Sequence, residues 1–85
     1  LLKDGAEILS DVELLAILIG SGTKDKSAID LANEIMKKYG SYKGLAGRDI
    51  DELKQIKGLK DAKILNIAAA FEIARRIVEE VQKYG

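Results

Sequence analysis

The sequence predicts an all-α fold, a compact bundle of about five helices arranged as two helical hairpins in tandem. Three observations predict it. Apolar residues recur three and four positions apart, the helical period, and β-branched alternation is missing. Proline is absent. A short pattern also occurs twice at a shift of 38 residues: Asp11-Val12, Leu15, Leu18 and Gly20 match Asp49-Ile50, Leu53, Ile56 and Gly58. Each copy alone buries little, so two sharing one core form a pseudo-two-fold domain over residues 1–85.

The first hairpin is expected over about 11–38. Ser10-Asp11-Val12-Glu13 is a capping box, in which the Ser10 hydroxyl takes a first-turn N–H and Glu13 reaches back. The helix it opens carries Leu14, Leu15, Ile17, Leu18 and Ile19 and stops at Gly20-Ser21-Gly22. Ser27 starts the next helix, with Ile29, Leu31, Ala32, Ile35 and Met36 inward and Gly40 as a stop. Residues 41–47 form a connector with one helical turn around Leu45. The second hairpin is expected over about 49–82. It starts with Asp49 and Glu52 repeating the capping-box signal and ends in a long helix from about Asp61 to Val81. Ile64, Ile67, Phe71, Ala74, Val78 and Val81 line its core seam, widened by Leu65, Ile73 and Ile77.

Composition narrows the chemistry. The 85 residues are 47% apolar, enough for one core. Without cysteine there is no disulfide framework or thiolate metal site. Without histidine the commonest acid–base group and metal ligand is missing. Ser10, Ser27 and Ser41 have no base to activate them and read as caps. Asp49, Asp51 and Glu52 read as helix-start chemistry, not metal ligands. No enzyme, cofactor or metal is therefore expected. No apolar run reaches membrane-span length and no signal peptide is visible, so a cytoplasmic chain is expected. The start at Leu1, in mid-pattern and without Met, suggests a monomeric fragment of a longer protein.

Net charge is zero, from 14 basic and 14 acidic residues, but the segment 54–63 carries Lys54, Lys57, Lys60 and Lys63 against Asp61 alone. There, Ile56-Lys57-Gly58-Leu59 ends one helix at a glycine, buries Leu59 as a plug, and restarts a helix through Lys60, Ala62 and Lys63. That layout is a helix-hairpin-helix. The N–H groups of Gly58 to Lys63 would surround a helix N-terminus and hold a phosphate oxygen, with Lys63 and Lys60 adding charge. Lys60 and Asp61 stand where such hairpins usually have Gly-Pro. Asp61 reads as an N-cap that would compete for the amides. The first hairpin keeps both glycines, Gly20 and Gly22, with Lys24 and Lys26 beside them; its plainer role is a polar loop. These contacts would hold DNA without reading bases. Lys63→Glu is accordingly expected to weaken binding with little loss of fold. Tyr39, Tyr42 and Tyr84 could stack on bases, though rings near helix ends commonly pack inward. Arg75 and Arg76 read as a solvated face, interrupted by Glu79-Glu80. The competing expectation is a protein-interaction module using the surface near Ile73, Ile77 and Val78; an exposed apolar stripe on the last helix would favour it.

Several stretches in order resemble one family. Leu2-Lys3-Asp4-Gly5-Ala6-Glu7-Ile8-Leu9-Ser10-Asp11, the following helix to Gly20-Ser21-Gly22-Thr23-Lys24, Ser27-Ala28-Ile29-Asp30-Leu31-Ala32, Ile56-Lys57-Gly58-Leu59, Ala62-Lys63 and Ala70-Phe71-Glu72-Ile73-Ala74-Arg75-Arg76 are similar to the amino-terminal region of RadC-like proteins, the UPF0758 family. The resemblance implies a bacterial, intracellular protein with a proposed role in DNA repair. It also implies a helix-hairpin-helix-like region at Gly58 and Lys63. Longer members add a metalloprotease-like JAB/MPN domain, whose histidines this chain lacks. That domain, or a repair or replication factor, is the protein partner the resemblance implies.

Overall fold

A computed structural model describes residues 5–84. Leu2, Lys3 and Asp4, which open the family resemblance, lie outside the described residues, as does the side chain of Tyr84. The described residues form a 3-10 turn at Ala6–Ile8 and five α-helices: α1 (Asp11–Ile19), α2 (Ala28–Tyr39), α3 (Tyr42–Ala46), α4 (Ile50–Leu53) and α5 (Asp61–Tyr84). The fold is all-α, as the helical periodicity and missing proline imply.

Local chemistry sets the helix starts. Ser10 caps α1 with a complete capping box: Glu13 N donates to Ser10 Oγ at 3.2 Å, and Ser10 N donates to Glu13 Oε1 at 2.8 Å. Hydrogen bonding from the Ser10 backbone first, and from its hydroxyl second, holds the Glu13 carboxyl below its usual value. Ser27 and Asp30 make a second box on α2, which the sequence pattern did not single out. The expected box at Asp49 and Glu52 does not form. Asp49 occupies the N-cap without a side-chain bond, and the Glu52 carboxylate instead accepts from Tyr39 Oη at 3.0 Å.

The core joins α1 and α2 to the first three turns of α5. Leu15, Ile19, Leu31, Ala32, Ile35, Leu45, Leu53, Leu59, Ile64 and Ile67 are buried, with Phe71 half-buried at its edge. The paired positions of the internal repeat share environments. Leu15 and Leu53 are buried, Leu18 and Ile56 half-buried, and Gly20 and Gly58 both have positive φ. Their helices differ in length, nine residues in α1 against four in α4. The expected α5 seam holds at Ile64, Ile67 and Phe71 only; Leu65, expected to widen it, is 60% exposed. Beyond Glu72 the helix leaves the body, and Ile73, Ala74, Ile77, Val78 and Val81 face solvent.

The hairpins are tied by polar bonds onto the end of α1. A helix C-terminus leaves carbonyls without intrahelical partners. The Lys63 ammonium donates to Ile19 O at 2.8 Å, and Asn66 Nδ2 donates to Leu18 O at 3.4 Å. Ile19 O also accepts from Ser21 N at 3.1 Å, so the two α5 side chains add to the bonds at the end of α1.

Candidate functional site

The turn before α5 begins at Gly58, whose φ of 93° is one that L side chains rarely adopt. A Cβ there would meet Leu31 Cδ2 at 3.1 Å and Thr23 Cγ2 at 3.3 Å. Gly58 thus reverses the chain and also lets the second hairpin sit against the first. Leu59 is 5% exposed, filling the plug position, and its amide donates to Ile56 O.

The six amides from Gly58 to Lys63 divide into two groups. Leu59 N is used within the turn, and Lys63 N donates to Lys60 O at 3.0 Å. The amides of Gly58, Lys60, Asp61 and Ala62 have no acceptor among the described residues. Asp61 is not the cap it was expected to be. Lys60 O accepts from Ile64 N, so Lys60 holds the N-cap position, Asp61 is the first helical residue, and its carboxylate takes none of these amides. A lysine cap offers no oxygen to the first-turn N–H groups, which stay open at the positive end of a 24-residue helix.

The loop of the first hairpin lies beside this turn. Thr23, Asp25 and Lys26 line a surface concavity of about 220 Å³ together with Lys57 and Gly58. The loop is closed on itself: Thr23 N donates to Lys26 O at 2.7 Å, and Lys26 N to Thr23 Oγ1 at 3.1 Å. Gly22 is required by this closure, since a Cβ would collide with the Lys26 carbonyl and lie 2.6 Å from Ser27 Cα. The loop expected to be merely polar is a defined turn.

The lysines differ in availability. Lys24, Lys57 and Lys60 are exposed, and their ammonium groups have no ion pair or hydrogen bond among the described residues. Lys26 is committed to Glu34 at 2.7 Å. Lys63 is half-buried and committed to Ile19 O, with Ser21 Oγ at 3.3 Å. Lys63→Glu, expected to cost the fold little, would set a carboxylate against the α1 carbonyl end, so a loss of stability is predicted as well. The expected site residues Gly20, Gly22, Lys24, Lys26, Gly58, Leu59, Lys60, Ala62 and Lys63 lie on the two turns, which meet at one end of the body. Leu59, Lys26 and Lys63 are structural in the conformation observed. Lys57 is the additional residue; its charge was visible in the sequence, its place beside the Thr23 loop was not.

The tyrosines sit elsewhere. Tyr42 Oη donates to Asp11 O at 2.6 Å, and its ring meets Phe71 edge-on at 6.3 Å. Burial and the Glu52 acceptor push the Tyr39 hydroxyl up, and the Lys38 and Arg48 cations lie 5.5 Å from its ring centroid. Both rings pack the connector rather than the hairpin turns. Among the described residues no group of three or more His, Cys, Asp or Glu side chains could hold a metal ion, and no helix is long and apolar enough to cross a membrane.

The family model described as UPF0758 N-terminal matches residues 1–65. The chain is 51% identical over 72 residues to a UPF0758 protein of Desulforudis audaxviator (strain MP104C), covering 85% of this chain and 31% of that protein. It is 44% identical over 77 residues to one of Rubrobacter xylanophilus, covering 91% and 34% respectively. It is 40% identical over all 85 residues to one of Janthinobacterium sp. (strain Marseille), covering 38% of it. The chain therefore spans about a third of the length of the curated relatives it matches. No solved structure matches it.

Proposed function

The chain belongs to the UPF0758 family, and on that footing we propose that it is a sequence-independent DNA-binding module acting in DNA repair, gripping phosphates with hairpin amides and lysines. The observation that carries this is the set of four open amides at Gly58, Lys60, Asp61 and Ala62, flanked by the ammonium groups of Lys57, Lys60 and Lys24, which have no partners among the described residues. An anion at a helix N-terminus gains both the free donors and the helix dipole. The first-hairpin turn alongside adds the exposed Lys24. The tandem helix-hairpin-helix arrangement belongs to this proposal: two turns at one end would contact neighbouring phosphates on a backbone. Asp25 and Asp61 oppose it in part, and net charge is zero, so binding is weak.

Fluorescence anisotropy with short duplex and single-stranded DNA at low salt tests the proposal. Micromolar or weaker affinity is expected, falling with salt at a slope for roughly two to four phosphates. Lys60→Glu should weaken binding several-fold without moving the unfolding temperature, because Lys60 is exposed and its side chain holds nothing. Binding that ignores both salt and Lys60→Glu would overturn it.

A second proposal has its own observation. The outer half of α5 exposes Ile73, Ile77, Val78 and Val81, each more than half accessible. A contiguous apolar stripe of this kind marks a protein-docking surface. In this alternative the module docks a JAB/MPN domain or a repair or replication partner. A variant with Ile73 and Ile77 both changed to Ser would lose that docking while DNA binding persists.

A further inference from the structure

We infer that the stripe on α5 is a self-docking surface, and that two copies of this chain pair through it as antiparallel helices with Ile77 at the two-fold axis. The inference rests on the reading of α5 as a docking face and commits its occupant. The sequence read alone suggests a monomer; the pattern on the helix argues otherwise. Ile73, Ile77 and Val81 recur every four residues on one face, with Ala74 among them and Ala70 one turn earlier. Ile73 and Val81 are therefore symmetric about Ile77, with Val78 to one side. A two-fold axis there sets Ile77 on Ile77 and Ile73 on Val81 of the second copy, as an isologous contact requires. The small alanines let the helices approach.

Charge agrees with the same register. Arg76 and Glu80 lie on one flank of the stripe, four residues apart. Antiparallel pairing brings each Arg76 within a turn of the second copy's Glu80, twice by symmetry. Parallel pairing would put the two Arg76-Glu80 flanks on opposite sides of the seam, where neither arginine meets a glutamate of the second copy. Glu80 has no partner among the described residues, and Arg76 is held by Glu72 alone. Each body lies on the first three turns of α5, and this register places those turns at opposite ends of the pair.

From Ile73 to Val81 the helix rises only about 12 Å. Such a contact falls short of the ~1,200 Å² total of stable interfaces, so the dimer forms only at high concentration.

Analytical ultracentrifugation of this chain up to about 1 mM tests the inference. The average mass should climb from monomer toward dimer, and Ile77→Asp should abolish the climb while leaving the helical circular dichroism intact. The chain has no cysteine, so a single one reports register. Ile77→Cys should form a disulfide-linked dimer under mild oxidation, and Glu79→Cys, on the opposite side of the helix, should not. A monomer at all concentrations would overturn the inference and leave the stripe to a different protein. Equal cross-linking at 77 and 79 would overturn the register. Neither result bears on DNA binding, which is read at the hairpin turns by anisotropy.

Discussion

At the scale of single residues, two side-chain choices hold the site in shape. Gly58 combines a positive φ with contacts to Leu31 and Thr23 that leave little room for a methyl group. Gly58→Ala should therefore cost about 1–3 kcal/mol, measured by urea unfolding, and should loosen the Thr23 loop as well as its own turn. An unchanged midpoint would mean the turn does not have this conformation. Lys63 acts as a cross-brace, since its ammonium meets the carbonyl end of α1. Lys63→Met should cost about 1–2 kcal/mol, whereas Lys60→Met should cost close to nothing. Equal effects at the two positions would contradict the assignment. The charge run 54–63 is plain in the sequence, but which of its lysines is structural is not. That depends on α1 ending within reach of Lys63, a contact 44 positions away along the chain.

At the scale of elements, the sequence is legible where chemistry is local and silent where it is not. The Ser10 box, the Gly20 and Gly40 stops and the Leu59 plug follow from neighbours within four residues, and all are present. The Asp49 box fails because Tyr39, thirteen positions earlier, takes the Glu52 carboxylate. The α5 seam is apolar well past Phe71, and periodicity alone cannot say where the body stops covering it. In this outer half, hydrogen bonds from Arg75 and Arg76 hold the Glu72 carboxyl down to about 2. The folded value lies below the unfolded one, so the folded helix binds fewer protons between the two values. Its contribution to stability is full above the ordinary glutamate value of 4.5 and is lost as pH falls toward 2. A carboxyl NMR titration should place Glu72 near 2, and Arg75→Ala with Arg76→Ala should return it toward 4.5. An ordinary midpoint in the unaltered chain would show that these surface pairs do not persist in solution.

At the scale of the whole molecule, the two hairpins share one core and bring two glycine turns to one end, while α5 carries an apolar stripe away from the other side of the body. The all-α class was readable from period and punctuation. The meeting of the turns was not, because it depends on Gly58 packing against Thr23 and on Lys63 reaching Ile19. In the function proposed above, the glycine-turn end would hold a phosphate backbone and the protruding helix would dock protein. The measurement that most directly tests the central claim is an amide NMR titration with a short DNA duplex at low salt. The signals of Gly58, Lys60, Asp61 and Ala62 should move together and saturably, with Lys24 following and the Ile73–Val81 signals unmoved. Shifts confined to the α5 stripe, or none at the four open amides, would contradict it.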